Sequence, residues 1–401
     1  MTENALLIVA HPQLAHQQAG GMSVLERQLW TMRRAGIRRV WVSLEKPLNI
    51  RLPDGLEIVW HGSQAVAEAS CPKPYLAVSG DHFVRVDTLR YVAEAHYPVP
   101  VTLADSTGTA VIQALPVEGA RAQPARQQLP DGCSVKLETP VAQGRAVSWL
   151  LALGHKSADG FMARNFDRRI SLAVSKLLLD TPVTPNMMTL ASSAIGLLGA
   201  ALFLWPTHGT RLAGALLVWL HSVLDGCDGE LARIRFQESA FGADLDFWLD
   251  NLVHLALFGC MAWGFAMADQ SMLPIFLGGC AAVGTLGSAW LNYLQRLDKR
   301  RNPASAAAVE AAGMVPTLQK VGDMLAARDF IYLLVLLAWL DRLYEFMWAT
   351  GVGSLMFFGL MMYLGRKHRE QASQPHPPRQ GQVGSPAAGD GSGHQHLHRG
   401  R

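Results

Sequence analysis

At 401 residues the chain has room for two domains, and half of its residues are apolar against only 17% charged. The net charge of +3 is too small to argue for a nucleic-acid partner, and no arginine-rich or aromatic-interleaved patch points to one. The five cysteines (Cys71, Cys133, Cys227, Cys260 and Cys280) are odd in number and show no C-x-x-C spacing, which argues against a disulfide framework and a zinc site.

The opening MTENALLIVAHPQ has no basic region before a long apolar run, so no signal peptide is expected. Up to about residue 150 short apolar runs alternate with amphipathic ones. Strands are expected at Ala5–Ala10, Arg39–Leu44, Leu56–Trp60, Tyr75–Val78, Pro100–Ala104, Thr109–Leu115 and Ser134–Thr139. A helix is expected over Ser23–Gly36, where Ser23 and Glu26 can form a capping box and Gly36 can end the helix. Val86–His96 and Ala146–Leu153 read as further helices, and Glu118–Arg126 as an exposed loop. This alternation predicts an α/β domain with a mainly parallel sheet. Ligand sites in such sheets lie beyond the carboxyl ends of the strands, which singles out Ser79-Gly80-Asp81-His82.

In Asp159–Leu179, Met162, Phe166, Ile170, Val174 and Leu177 form an apolar stripe, and Arg164, Arg168, Arg169 and Lys176 fall on other faces. This pattern predicts a helix in a membrane interface, and a soluble helix packed on the first domain has the same periodicity. From Met187 the chain becomes strongly apolar. Six membrane helices are expected, at Met187–Trp205, Leu212–Ala232, Ala243–Met267, Met272–Leu294, Phe330–Trp348 and Val352–Leu364. Arg233 and Arg235, Lys299 to Arg301, and Arg366, Lys367 and Arg369 all fall on one side, which the positive-inside rule makes cytoplasmic. Asp341 and Arg342 fall at an outer end. The tail after Gln371 is disordered by composition, and the alternating His394, His396 and His398 belong to it.

One stretch inside the apolar region concentrates the chemistry. Asp225 and Asp228 are three apart and share one helix face, while Gly242, Asp246 and Asp250 recur every fourth residue on the next helix. Carboxylates among apolar helices are costly unless paired or bound to metal, and a cage of acidic oxygens suits Mg2+, Mn2+ or Ca2+. Gly229 and Ala232 have minimal side chains that let a ligand approach the backbone, and Arg233 can pair with a phosphate oxygen. Gly242 is expected to let its helix pack closely on the preceding one. A cation transporter would also use intramembrane carboxylates, but it gives no reason for the Ala-Arg pair or the glycines.

The stretch reads D-x2-D-G-x2-A-R-x8-G-x3-D-x3-D and resembles the signature of the CDP-alcohol phosphotransferase (phosphatidyltransferase) family. The resemblance implies transfer of a substituted phosphate from a CDP-alcohol to the hydroxyl of a second alcohol, with release of CMP. It implies Asp225, Asp228, Asp246 and Asp250 as ligands of Mg2+ or Mn2+, two ions in all. Asp250 would also be the general base, and Gly229, Ala232 and Arg233 would line the CDP site. Membrane lipid would surround the domain, and a homodimer is compatible with the family.

Gly21–Leu29, Ile37–Val42 and Tyr75–Asp81 resemble the nucleotidyltransferase fold, in which the residue matching Asp81 binds a catalytic metal. The loop His11–Gln18 departs from it, having no Gly-x-Gly, Arg or Lys to hold a triphosphate, so a degenerate domain is expected. Lys156–Gly160 and Thr181–Thr189 also resemble the family, most closely its bifunctional inositol-phosphate cytidylyltransferase/di-inositol-phosphate-phosphate synthase members. Arg328-Asp329 resembles a family feature near the acceptor side, and a helix cap explains it equally well. The expected architecture is therefore a nucleotidyltransferase-like α/β domain (1–155), an interfacial helix (156–185), an all-α polytopic membrane domain (186–368) and a tail (369–401). The protein would be integral to a bacterial-type cell membrane with both termini cytoplasmic. CDP-diacylglycerol as donor, beside a non-catalytic first domain, is the alternative to a polar CDP-alcohol such as one built on inositol.

Overall fold

Short β-branched runs between amphipathic helices build the first part of the chain, and long apolar helices build the second. The computed structural model describes residues 2–45, 50–116, 124–137, 140–153, 166–302 and 330–373. The first part contains β1 (Asn4–Ile8), α1 (Pro12–Ala15), α2 (Val24–Arg34), β2 (Arg39–Val42), β3 (Glu57–Trp60), α3 (Gln64–Ser70) and β4 (Tyr75–Ser79). It continues through β5 (His82–Val84), α4 (Val86–Glu94), β6 (Val101–Ala104), β7 (Ala110–Leu115), β8 (Ala125–Gln128) and β9 (Ser134–Lys136).

Seven strands form one sheet in the order β3-β2-β1-β4-β7-β6-β8, and β5 pairs with β9. Asn4 is in register with Arg39 of β2 and with Tyr75 of β4, both in parallel pairings. β7 runs antiparallel to both β4 and β6, so the sheet is mixed although most of its pairings are parallel. Ser23 and Glu26 form the capping box expected of them, and Gly36 follows α2 with a φ of 95° that favours glycine. Leu25, Leu29, Ile37, Val40, Leu76 and Val78 meet in the core between helices and sheet.

The structure corrects the expected loop over Glu118–Arg126, because its last residues open β8. All four residues of β8 are exposed, so they carry no apolar alternation to reveal a strand. The short elements α1, α3 and β5 span only four, seven and three residues, too few for a periodic signal.

The helical region contains α5 (Pro140–Leu153), α6 (Arg168–Leu178), α7 (Pro185–Leu202), α8 (His208–Ile234), α9 (Ala240–Asp269), α10 (Leu273–Arg301), α11 (Phe330–Trp339) and α12 (Leu343–Ser373). Among the described residues four stretches are long and apolar enough to cross a membrane: Pro185–Leu202, Ala240–Asp269, Leu273–Asp298 and Leu343–Tyr363. The break expected near Gly351 falls instead at Leu340–Arg342, where Asp341 has a φ of 56°. Gly351 lies inside α12 and serves packing, since a Cβ there would stand 3.0 Å from the Leu277 carbonyl oxygen. Asp341 sits 3.7 Å from His208 and 3.9 Å from Arg211, beside the start of α8.

The α6 helix turns Arg168, Ser171 and Ser175 inward, while Phe166 and Leu177 are 57% and 79% exposed. Arg168 was expected on a face away from the apolar stripe, among the cations of a membrane interface. It is buried instead, with Nε 3.6 Å from Oε1 of Glu230 on α8, because a buried carboxylate needs a partner. Several expectations lie outside the described residues: Lys156–Gly160, Met162, Arg164, Arg328-Asp329 and the histidines of the tail.

α7 and α8 approach through paired glycines. A Cβ on Gly214 would lie 2.7 Å from the Gly199 carbonyl oxygen, and one on Gly199 would lie 2.9 Å from that of Gly214. Backbone cannot yield as a flexible side chain does. Gly214→Val is therefore expected to destabilise the protein by about 1–3 kcal/mol, read as a lower unfolding temperature in detergent. An unchanged unfolding temperature would show that the two helices can separate at no cost.

Candidate active site

The motif occupies the last turns of α8 and the first half of α9. Ser239 starts α9 by accepting a hydrogen bond from Gly242 N at 2.9 Å, so its four-residue stripe begins immediately after the turn. Asp225 and Asp228 of α8 and Asp246 of α9 each offer a carboxylate oxygen, and these atoms lie within 4.8 Å of one another. Asp225 and Asp228 are buried and Asp246 is half-buried. The hydroxyl of Thr189, on α7, donates to Asp228. Three helices thus converge on one carboxylate group.

Asp250 lies one turn beyond Asp246 but outside that group. Its Oδ1 is 3.4 Å from Nε2 of His221, a buried residue one turn before Asp225. Arg233 lies over Gly229, where a Cβ would stand 3.0 Å from its Nη1. The buried Nε–H of Arg233 has no protein acceptor among the described residues. Ala232 follows Asp228 by one turn, and its carbonyl accepts from Gln237 N at 2.8 Å as α8 ends. Gly242 does not serve α8 as expected. A Cβ there would lie 3.0 Å from Oδ1 of Asn186, at the start of α7, so the close neighbour is α7.

Three polar residues at the site are not marked by the motif. Thr189 is buried on a different helix from the carboxylate it serves. His221 interrupts an apolar run four residues before Asp225, a spacing that could have flagged it. Glu230 falls off the pattern but is buried, and it accepts from the Ser171 hydroxyl at 2.8 Å besides facing Arg168. Asp244, also off the pattern, is held bidentately by Arg300, with both contacts at 2.8 Å.

In the α/β domain the topology brings the ends of β1 and β4 together. Gly80 N donates to the Ile8 carbonyl at 2.7 Å, and a Cβ on Gly80 would lie 2.6 Å from that oxygen. Asp81 stands 3.0 Å from Nδ1 of His11. Burial pushes His82 below the ordinary imidazole range, opposed by its contact with Asp105.

The donor set can be compared with its chemistry. Three carboxylates within reach of one point, a hydroxyl supporting one of them, and no cysteine or histidine in the group fit a hard divalent cation. Residues 182–365 match the family model described as CDP-alcohol phosphatidyltransferase.

The matched stretch has curated relatives. A bifunctional IPC transferase and DIPP synthase of Thermococcus kodakarensis is 34% identical over 202 residues, covering 50% of this chain and 43% of that protein. A phosphatidylinositol phosphate synthase of Mycobacterium marinum is 28% identical over 208 residues, covering 51% of this chain and 82% of that protein. The matched part spans less than half of the bifunctional relatives, at 43%, 37% and 45% of their lengths. A solved Mycobacterium tuberculosis phosphatidylinositol phosphate synthase with CDP-DAG bound has a TM-score of 0.34 and 22% identity, covering 49% of this chain and 92% of that one.

A partner that orients a metal-facing carboxylate is worth about 10–100-fold in metal affinity or activity. Thr189→Val is accordingly expected to weaken Mn2+ binding at least about tenfold, measured by titration of the purified protein. Wild-type affinity would detach Thr189 from the site.

Proposed function

We propose that the chain is an integral membrane, metal-dependent transferase that moves a substituted phosphate from a CDP-alcohol to the hydroxyl of a second alcohol and releases CMP. The observation that carries this reading is the meeting of Asp225, Asp228 and Asp246 inside the matched family domain. On this reading six helices span the membrane, with α8 joining the four long apolar stretches and the sixth including α11, whose ten described residues are about half the length a span needs. Arg233 and Arg235 at the end of α8 favour a site at the cytoplasmic face. The boundaries expected at residues 155, 185 and 368 are kept as the division into domains.

Asp225, Asp228 and Asp246, with Asp250 at the margin, would hold Mg2+ or Mn2+, two ions where all four carboxylates take part. Such ions, when bound, neutralise and clamp pyrophosphate oxygens. Arg233 pairs with a phosphate oxygen as a planar fork, and Gly229 leaves room for its guanidinium. Asp250 accepts the proton of the acceptor hydroxyl, and His221 holds that carboxylate in place. The acceptor oxygen then forms a bond to phosphorus as the bond from phosphorus to the CMP oxygen breaks.

A CDP-alcohol built on inositol and CDP-diacylglycerol are the two donors this reading allows, with an alcohol or phospho-alcohol as acceptor. The α/β domain is read as nucleotidyltransferase-like and inactive, since His11–Gln18 lacks cations for a triphosphate. A homodimer in the bilayer is compatible with the reading.

The test is CMP release by the full-length protein in lipid nanodiscs with Mn2+, given CDP-diacylglycerol or CDP-inositol separately, each with inositol phosphate. Chelation is expected to stop release and added Mg2+ or Mn2+ to restore it. Asp250→Asn is expected to lower the rate by about 100-fold or more. Wild-type protein that releases no CMP from either donor would sink the reading. Radiolabel passing from CTP into a CDP-alcohol would reverse the assignment of the α/β domain as inactive.

A further inference from the structure

The two carboxylate-bearing helices are joined by the short turn between Ile234 and Ser239, so that turn sets their mutual register. Its backbone is unusual: Phe236 has a φ of 51°, a region that bulky side chains rarely occupy. Surrounding contacts must hold such a residue in place, and here many of them come from the α/β domain.

Arg27, Trp30 and Arg34 lie at positions i, i+3 and i+7 of α2, on one face of that helix. Their partners are alternate residues of the turn. Arg27 Nη1 donates to the Ile234 carbonyl at 2.7 Å. The Trp30 ring stacks on Phe236 with centroids 5.9 Å apart. Arg34 Nη2 lies 2.8 Å from Oε2 of Glu238. From the loop before β3, Arg51 Nη2 donates to the Arg235 carbonyl at 2.7 Å. The carbonyls of Ile234 and Arg235 end α8 and have no intrahelical donor. Guanidinium groups satisfy them and complement the negative end of the helix dipole.

The approach between the two parts is close. Arg27 is only 2% exposed and also donates to the Ala19 and Gly20 carbonyls, at 3.0 and 3.1 Å. Gly21, at a φ of 76°, leaves no room for a side chain: a Cβ would stand 2.4 Å from the Leu179 carbonyl oxygen and 2.7 Å from Arg235 Nε. On its other side Arg235 donates to the carbonyls of Leu178, Leu179, Thr181 and Val183, between 2.6 and 2.9 Å, which ties the turn to the connection from α6 to α7.

We propose that the α/β domain positions the transferase site: the Arg27–Trp30–Arg34 face of α2, with Arg51, fixes the turn from α8 to α9 and thereby the spacing of Asp225 and Asp228 against Asp246. The metal side of this inference rests on the reading of those carboxylates given above. Arg27 and Trp30 are positioning residues, remote from the reacting atoms and acting through the turn.

The test uses full-length protein in nanodiscs and the variants Trp30→Ala, Arg27→Gln and Arg27→Lys. Two quantities are read: amide hydrogen exchange over residues 234–240, and Mn2+ affinity by titration. Trp30→Ala and Arg27→Gln are expected to speed exchange across the turn and to weaken Mn2+ binding at least about fivefold. Arg27→Lys, which keeps a cationic donor, is expected to recover part of both. Wild-type exchange and wild-type affinity in Trp30→Ala and Arg27→Gln would overturn the proposal. Exchange at β1 and β4 reports whether the α/β domain stays folded. If Arg27→Gln loses protection there, Trp30→Ala decides alone, because it leaves the core residues Leu25 and Leu29 in place. Wild-type protein that binds no Mn2+ would sink the metal reading of the carboxylates, and the exchange comparison would still decide whether α2 holds the turn.

Discussion

The constraint behind this structure is the cost of placing several carboxylates together among apolar helices. An unpaired charge there is expensive, and like charges in one small volume repel. Each surrounding element answers part of that cost. Thr189 brings a hydroxyl from α7 to Asp228, His221 faces Asp250, and Arg168 with Ser171 faces Glu230 from α6. The glycines at 199 and 214 let α7 lie against α8, so a hydroxyl as short as that of threonine reaches its partner. Polar groups brought in by helices and small residues that let helices meet serve the same end. Three carboxylates whose oxygens lie within 4.8 Å of one another are the kind of charge a divalent cation neutralises.

α6 follows the same logic. The helix buries Arg168, Ser171 and Ser175 and leaves Leu177 outside, while Leu172, Val174 and Leu178 pack partly buried against the core. Its buried polar residues face Glu230. Periodicity reported that this helix had two faces. It did not report which of them faces the protein, because burial depends on what lies beyond the chain.

Legibility in the sequence follows the distance over which each interaction acts. The carboxylate stripes could be read because their spacing is local to a helix, and the capping box of α2 because it spans three residues. Strands long enough to show an apolar run were legible, whereas the three-residue β5 and the fully exposed β8 were not. The supports of the site were hidden for a different reason. Thr189 and Asp228 are separated by 39 positions, and Arg27 and Ile234 by 207. Nothing in the local pattern of either partner announces such a contact. Gly351 lies between the last two helices expected from hydropathy, yet it packs α12 against α10.

α8 connects these observations because it is restrained at both ends. At its start Asp341 reaches His208 and Arg211, an anion beside the positive end of the helix dipole. At its finish Arg27 and Arg51 place cations on the last carbonyls. A helix held by charges of matching sign at each terminus resists sliding along its axis, and axial sliding is the motion that would move Asp225 and Asp228 past Asp246. Exposed contacts such as that of Asp341 are individually weak. The buried Arg27 is the stronger restraint, and it belongs to the domain that carries none of the clustered carboxylates. The α/β domain thereby takes a physical role in the proposed site, through where it holds the end of one helix.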